Sequence, residues 1–570
     1  MTYSDKAFAI VKRSINSAVF IDEKAWEFYS SEPQDPTIIE HQLSTDLYES
    51  FKSEGVSLAV HKFKESDLSN ESIKRYLLKD RDLVLLDWEL EDGGGIQYSL
   101  ELLSDIIQYP HINFCCIYTS TANFDDIAHH INSYFSGFSQ DNFGEIVTAY
   151  SFLDTNSIEL IFSAINSNDE AQIDEVFALL GIDSVNFPID LSESENNPTF
   201  ILSAIYYAFN KYVKSEKQEI AVTSINTASG CIIINNTFIL ILNKDVENDT
   251  KPSQLIRRIS DELIKPENKN SFLQLLGLEM QTIFGENESF INENLLQSST
   301  EAFFTHRNFL KARDGDDIPF NSLIKKIMIE HAGLRLRTAK LSLLETAFLD
   351  QKGKEHHTDP SNEEIASMNT FYNSVNVGSL NNIDFPKVNF GDIFYDETNK
   401  DYYLCITALC DCLRPKKIKQ NYYFVKGKEI NIQIANSLGD AAFISYIPNN
   451  KAISWINIES TKSKKCNNTE LSEEQVRINN LEAENKVLQQ FKYKPVYIQP
   501  HTFNIKNPRI EEDSILISRI IPDNVDKEKR DIEQSRIKYI TSLRPNYTQR
   551  IANHAFTHPV RVGVDFISKQ

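Results

Sequence analysis

The feature that most constrains the fold is an alternation of short apolar runs and helical segments over the first 150 residues. The apolar runs are Ser17 to Ile21, Val56 to Val60, Asp82 to Leu86, Ile112 to Tyr118 and, as a fifth candidate, Gly144 to Tyr150. The third run is continuously apolar after its first residue, as expected for a strand buried on both faces. This rhythm predicts an α/β fold, a doubly wound parallel sheet with helices on both faces.

The remainder of the chain divides into four further regions. A hairpin is predicted in the middle, where Cys231 to Ile234 and Phe238 to Leu242 flank a turn-prone Asn-Asn-Thr. Closely spaced short strands further along predict a small antiparallel β-barrel. The expected domains are 1–150, a doubly wound domain; 151–215, a helical extension or bridge; 216–380, a mixed α+β middle region with the hairpin and helices; 381–460, the small barrel; and 461–570, a helical and β C-terminal region.

Composition excludes several classes of function. The 58 Lys and Arg residues against 81 Asp and Glu residues give a net charge of −23, which opposes bulk attraction to nucleic acid or to an anionic membrane. We therefore expect neither as a partner. No apolar run reaches the length of a membrane span, and Met1 to Ile10 lack the pattern of a signal peptide. Seven cysteines form no disulfide framework, so a cytoplasmic location is predicted.

Polar residues follow three of the predicted strands. Asp22 and Glu23 follow the first strand, Asp87 follows the third, and Thr119 and Ser120 follow the fourth. Ligands of an open parallel sheet bind outside the carboxyl ends of its strands. Three carboxylates that converge there repel one another unless a cation intervenes, and Mg²⁺ suits a site with room for a phosphoryl group. Asp87 is then a candidate nucleophile that forms an aspartyl phosphate.

These residues resemble the receiver domain of two-component response regulators. The resemblance lies in the acidic pair Asp22-Glu23, the strand that ends at Asp87, the glycines Gly93 to Gly95, and Thr119 after the fourth strand, and it covers residues 15–150. It implies a flavodoxin-like sheet with Asp87 as the phosphoacceptor.

The same resemblance implies a role for each of the other residues. Asp22, Glu23 and Asp87 would hold Mg²⁺, with the backbone carbonyl of Glu89 as a further ligand. Thr119 and Ser120 would contact the phosphoryl group and act as the switch.

One departure from the receiver pattern stands out. Receivers carry a lysine at the end of the fifth strand, and none lies in or just after Gly144 to Tyr150. Either that strand is misplaced or the switch is altered. The stretch between Asp22 and Asp87 is also longer than usual, with an apparent insertion near Tyr29 to Ile39.

The long region beyond the receiver contains no recognisable output motif. This layout resembles the receiver proteins of Detocs-like phage-defence phosphorelays, which implies a sensor histidine kinase and possibly a second receiver-effector protein as partners. The chain would act there as a phosphate buffer or signalling partner. Two alternatives stay open: a phosphorylation-independent scaffold with a degenerate receiver, or an effector with an unrecognised site in residues 383–570. For the effector, Asp392 and Asp411 are the residues to test, because Gly391-Asp392-Ile393 is loosely similar to RNA-cleaving toxin barrels.

Overall fold

The computed structural model divides into two compact units, residues 1–289 with 332–351 and residues 290–331 with 352–570. The structure describes residues 2–31, 33–91, 94–109, 111–119, 124–136, 138–167, 169–182, 187–189, 191, 197–210, 231–244, 251–265, 268, 271–287, 297–314, 320–355, 359–375, 387–438, 443–456, 498–522 and 530–556. Among these, no helix is long and apolar enough to span a membrane.

The first unit is built on a six-stranded sheet. Its strands are β1 Ser17–Asp22, β2 Ser57–Lys62, β3 Leu83–Asp87, β4 Asn113–Thr119, β5 Cys231–Ile234 and β6 Thr237–Asn243. They lie in the order β2-β1-β3-β4-β6-β5. All neighbours are parallel except β5, which is antiparallel to β6. The prediction of a flavodoxin-like, doubly wound sheet is therefore confirmed.

Helices cover both faces of this sheet. The helices within residues 1–289 are α1 Tyr3–Ser14, α2 Ile39–Ser53, α3 Glu71–Leu78, α4 Ile96–Ile106, α5 Phe124–Tyr134, α6 Gln140–Ala149, α7 Thr155–Ser167, α8 Glu170–Leu179, α9 Pro198–Phe209, α10 Pro252–Leu263 and α11 Ser271–Asn287. Three more helices follow in the chain: α12 Thr300–Asp314, which belongs to the second unit, and α13 Phe320–Leu336 and α14 Thr346–Gly353, which each cross a boundary between the units. One face packs against α1, α2, α10 and α11, and the other packs against α3, α4 and α5. Burial of the strands on both faces explains their continuous apolar runs.

The predicted fifth strand at Gly144 to Tyr150 is wrong. This segment lies in helix α6, whose side chains Phe143 and Ile146 are buried with Tyr150 on one face. Their spacing of three and four residues is helical, and it outweighs the short apolar run from which a strand was predicted. The fifth parallel strand is β6, with Asn243 paired to Thr119.

The predicted hairpin exists, but it belongs to this sheet rather than to a separate middle region. Strands β5 and β6 pair across a turn in which Asn235 has a φ of +53°, a conformation that asparagine tolerates well. The predicted domain boundaries stay predictions, whereas the sheet itself extends from residue 17 to residue 243.

Helices α6 to α9 lie between strands β4 and β6 and have a hydrophobic core of their own. Its buried side chains include Ile146, Ile161, Ile201 and Ile205. Helix α9 begins with Pro198 at its first turn, and Asn197 caps it by accepting the backbone N–H of Phe200. The doubly wound domain is thus interrupted by a helical insertion before its last parallel strand.

The second unit contains a nine-stranded antiparallel sheet. Its strands are β7 Ser374–Val375, β8 Asp392–Asp396, β9 Asp401–Cys405, β10 Asn421–Ile430, β11 Ile444–Ile447, β12 Lys451–Ser454, β13 Pro500–Asn504, β14 Ser514–Pro522 and β15 Arg530–Leu543, and its helices are α15 Asn362–Asn373, α16 Leu409–Cys412, α17 Ile432–Leu438 and α18 Pro545–Ala555. Because β10 also pairs with β9, six of the strands close into a barrel in the order β10-β13-β14-β15-β8-β9.

The predicted barrel is therefore confirmed, and three of its six strands come from residues 500–543. In the C-terminal region, Ile478, Leu481 and Leu488 predict a helix from Glu473 to Phe491, and this segment lies outside the described part of the chain.

Candidate functional site

The carboxyl ends of three central strands bring the predicted residues together. Asp22 is the last residue of β1, Asp87 the last of β3 and Thr119 the last of β4. All three side chains are buried, with Asp22 0% and Asp87 4% exposed. Because β1, β3 and β4 are parallel neighbours, their ends share one edge of the sheet, as the sequence pattern predicts.

Three carboxylates lie close enough to share a cation. One carboxylate oxygen from each of Asp22, Glu23 and Asp87 lies within 4.8 Å of the others. The second oxygen of Asp22 is placed by the backbone N–H of Lys24, which donates to Oδ1 at 2.7 Å. Glu23 Oε2 is buried and has no hydrogen-bond partner among the residues that the structure describes. This hard oxygen donor set, with one orphaned buried oxygen, fits Mg²⁺.

A lysine that the sequence analysis missed completes the cluster. Lys244 directly follows β6, and its Nζ lies 2.8 Å from Asp22 Oδ2 and 2.9 Å from Asp87 Oδ1. Its backbone N–H donates to the carbonyl of Thr119 at 2.9 Å, which holds the end of β6 beside the end of β4. The signal was the apolar run Phe238 to Leu242 followed by Asn243-Lys244, a buried strand ending in a lysine.

The electrostatics of the cluster show a shortage of positive charge. Burial, followed by repulsion from Asp22, raises the pKa of Asp87 to about 8, although Lys244 opposes this shift. Burial lowers the pKa of Lys244, but Asp22 and Asp87 outweigh it and hold that pKa above its ordinary value. Lys244 and the partly exposed Lys24, whose Nζ lies 3.3 Å from Glu23 Oε1, therefore face three carboxylates, and a divalent cation would neutralise the remaining negative charge.

The loop after Asp87 is held by one hydroxyl and one glycine. The Ser99 hydroxyl donates to the backbone carbonyls of Asp87 and Trp88 at 2.9 and 2.8 Å. Gly95 begins α4 with a φ of +82°, and a Cβ there would lie 2.6 Å from the backbone nitrogen of Glu91. Glu89 lies in this loop, two residues after Asp87. Of the predicted residues, Ser120 and Gly93 lie outside the described part of the chain.

Fold and site together define a doubly wound α/β domain with an acidic cluster at the carboxyl ends of its parallel strands. Residues 14–169 match the family model of the response receiver domain, which supports a phosphoryl-accepting role of the response-regulator kind. No curated protein and no solved structure matches the chain significantly. The matched segment contains Asp22, Glu23, Asp87 and Thr119 but ends before β6 and Lys244.

The barrel of the second unit has no comparable arrangement at its two candidate residues. The buried carboxylate of Asp392 accepts hydrogen bonds from the Ser542 hydroxyl and the Asn389 backbone N–H, both at 2.7 Å. Asp411 lies apart from these bonds, in the short helix α16. The barrel interior is filled by apolar and aromatic side chains, among them Phe394, Tyr403, Phe424 and Phe503.

Charged groups at one end of the barrel are paired with each other. Asp401 lies 2.6 Å from Lys426 Nζ and 2.5 Å from Lys428 Nζ, and Arg519 donates to Glu533 at 2.5 Å. These pairs give both acidic side chains, Asp401 and Glu533, a cationic partner within the barrel itself.

Asp392 gives the second unit a pH-dependent stability. Burial raises the pKa of this carboxyl from 3.8 to about 6. Because the pKa is higher in the folded state, the protonated Asp392 carboxyl stabilises the fold fully below about pH 4. This stabilisation is lost as the pH rises to about 6, which lowers the free energy of unfolding by about 2–3 kcal/mol. We expect the unfolding midpoint of Asp392→Asn to change less than that of the wild type between pH 4 and pH 6. Asp411→Asn controls for the loss of one carboxylate, and an unchanged slope in Asp392→Asn would contradict the prediction.

Proposed function

We propose that the chain is an atypical response regulator that receives a phosphoryl group on Asp87 from a sensor histidine kinase. The observation that carries the proposal is the ion-paired cluster in which Lys244 contacts both Asp22 and Asp87 at the end of the parallel sheet. The altered-switch interpretation depended on a missing lysine, and the position of Lys244 at the end of the fifth parallel strand supports an unaltered switch instead. The scaffold alternative loses its main support for the same reason.

Each group has a distinct chemical role in this proposal. Asp22, Glu23 and Asp87 would hold Mg²⁺, with the backbone carbonyl of Glu89 as a further ligand. The ion would neutralise charge on the phosphoryl oxygens as they approach the carboxylates. A carboxylate oxygen of Asp87 attacks phosphorus, the P–N bond of the donor phosphohistidine breaks, and the released imidazole nitrogen takes up a proton.

The remaining polar groups hold the transferred phosphoryl group. Lys244 would move its contact from the Asp87 carboxylate to a phosphoryl oxygen. Thr119, the last residue of β4, would contact the group as well, and we assign the same role to the next residue in the sequence, Ser120.

The helical insertion is placed to respond to the added charge. Helix α5 follows β4, and the ring of His129 on α5 lies 5.2 Å from the ring of Tyr206 on α9. The neighbouring His130 lies 6.0 Å from Trp88, the residue directly after Asp87. A shift of α5 on phosphorylation would therefore reach the core of the insertion.

For the wider system we propose an anti-phage phosphorelay in which this chain buffers phosphate beside a second receiver-effector protein. The filled interior of the barrel and its internally paired charges support a buffering role over an effector role. An effector site in residues 383–570 stays the alternative.

Phosphorylation by acetyl phosphate and Mg²⁺ tests the acceptor. We expect intact mass to show one added phosphoryl group in the wild type and none in Asp87→Asn. Asp80→Asn is the matched control, because Asp80 is exposed and its φ of +58° suits asparagine. Equal modification of Asp87→Asn would place the acceptor elsewhere. An unmodified wild type with both acetyl phosphate and the cognate kinase would favour the scaffold.

A further inference from the structure

Strand β2 forms one edge of the six-stranded sheet and is the floor of a groove of about 790 Å³. Helix α2 supplies one wall through Tyr48 and Lys52. The segment from α3 to β3 supplies the other through Tyr76 and Arg81. Since α2 and α3 cover opposite faces of the sheet, the strand edge is recessed between two walls.

The backbone of β2 offers hydrogen-bonding groups to this groove. The N–H of Ser57 donates to Asn16 and the N–H of Phe63 donates to Asp22, so odd-numbered residues face β1. Alternation along a strand then points the N–H and C=O groups of Leu58 and Val60 away from the sheet. Within the described ranges neither amide has a partner. An unpaired strand edge is a template for another extended chain.

The far end of the strand is closed by the protein itself. Glu27 Oε1 accepts the outward N–H of Lys62 at 3.1 Å. This carboxylate covers the third outward amide and leaves a free edge of about four residues, enough for a short peptide. The same Glu27 oxygen lies 3.3 Å from His61 Nδ1, so this carboxylate is held against β2.

Two cationic side chains, Lys52 and Arg81, lie at the amino end of the β2 groove. Arg81 lies two residues before Leu83, which is level with Leu58 across β1, and the exposed Lys52 lies at the end of α2. The Arg81 guanidinium donates one bond to the Tyr76 carbonyl, while its buried Nε has no partner in the described part of the protein. Arg81, with its unpartnered Nε, and Lys52, whose Nζ lies 3.8 Å from Glu49 Oε1, thus lie where a chain antiparallel to β2 would end.

We propose that the β2 groove binds an extended peptide segment of a partner protein as a seventh strand. The segment runs antiparallel to β2 and carries carboxylates at its C-terminal end, beside Lys52 and Arg81. A second copy of the chain is the poorer occupant, because two recessed edges would collide at their walls before reaching the strand spacing of about 4.8 Å. The proposal does not depend on phosphorylation of Asp87.

Selection from a displayed library of random peptides, with the full-length protein as bait, tests the proposal. We expect enriched peptides to share extended, alternating sequences with Asp or Glu near the C-terminal end. Synthetic copies of them should slow hydrogen exchange at the amides of Leu58 and Val60. Their affinity, measured by fluorescence anisotropy, should fall about tenfold or more in Arg81→Glu and in Lys52→Glu.

Arg75→Glu is the matched control, since it makes the same charge change on exposed α3 outside the groove. It should bind the selected peptides as the wild type does. Lys52→Glu guards against a folding defect in Arg81→Glu, because Lys52 is exposed. The proposal is overturned if no peptide is enriched over the Arg81→Glu bait, or if neither Arg81→Glu nor Lys52→Glu changes the peptide affinity. It is also overturned if dimerisation of the free protein protects the β2 amides from exchange.

Discussion

Replacing Lys244 with methionine is expected to lower the free energy of unfolding by about 3–5 kcal/mol in metal-free buffer at pH 9, above the pKa of about 8 to which burial and Asp22 raise the Asp87 carboxyl. The substitution leaves Asp22 and Asp87 buried beside each other without the ammonium group that lies 2.8 and 2.9 Å from them. Removing one partner of a buried ion pair is costly because the remaining charge has lost its counter-charge and cannot reach water. Urea unfolding followed by tryptophan fluorescence measures the effect.

Lys251→Met is the matched control, because it removes an exposed lysine that lies beyond this cluster. Addition of Asp87→Asn to Lys244→Met should recover part of the lost stability, since it removes one of the two uncompensated charges. A Lys244→Met protein as stable as the wild type would show that the ion pairs do not form. We also expect Lys244→Met to accept phosphate from acetyl phosphate but to lose the phosphorylation-dependent change in hydrogen exchange at α5.

Most of the acidic cluster could be predicted from the sequence because its parts are local. Strands β1 and β3 are apolar runs that end directly in Asp22 and Asp87, so the sequence shows both the strand and the position of the carboxylate at its end. The closeness of Asp22 to Asp87 then follows from parallel pairing alone.

Lys244 could not be placed in the same way. Residues 120–236 separate β4 from β6, and they include an insertion whose helix α6 contains the first apolar run after β4. Tertiary packing decides which of the two segments becomes the fifth parallel strand. Phe143 and Ile146 are buried in the core of the insertion, whereas β6 pairs with β4. The hairpin was visible in the sequence, but nothing local reveals which sheet it joins.

The barrel could be predicted in class but not in extent. Strands β8 to β10 lie close together in the chain, and each contains a short apolar or aromatic run: Ile393 to Tyr395, Tyr402 to Cys405 and Tyr422 to Val425. By contrast β15, which pairs with β8 to close the barrel, is mostly polar. One of its faces is largely exposed to solvent, and the exposed residues Arg536 and Lys538 lie on that face. A long polar strand of this kind resembles a helix or loop until its partner is known.

Mg²⁺ is expected to stabilise the wild-type protein by about 2.7 kcal/mol at a concentration one hundred times its dissociation constant. The three carboxylates of Asp22, Glu23 and Asp87 would gain a divalent counter-charge in the folded state only. The gain should disappear in Asp87→Asn and fall in Glu23→Gln. Glu89→Gln is a control that should keep the Mg²⁺ effect, because the proposed ligand at this position is the backbone carbonyl, which the substitution does not remove. A loss of the Mg²⁺ effect in Glu89→Gln would contradict that role.

The Mg²⁺ effect should also grow with pH. Burial and Asp22 raise the pKa of Asp87 to about 8, so without metal its proton stabilises the folded state below about pH 4, and this contribution is lost as the pH rises to about 8. Mg²⁺ competes with that proton, so the metal should raise the unfolding midpoint more at pH 9 than at pH 6. The expected observation is a wild-type stability that falls over this range without metal and falls less with it. Asp87→Asn should show neither the fall nor the rescue, and equal Mg²⁺ shifts at both pH values would show that the ion binds elsewhere.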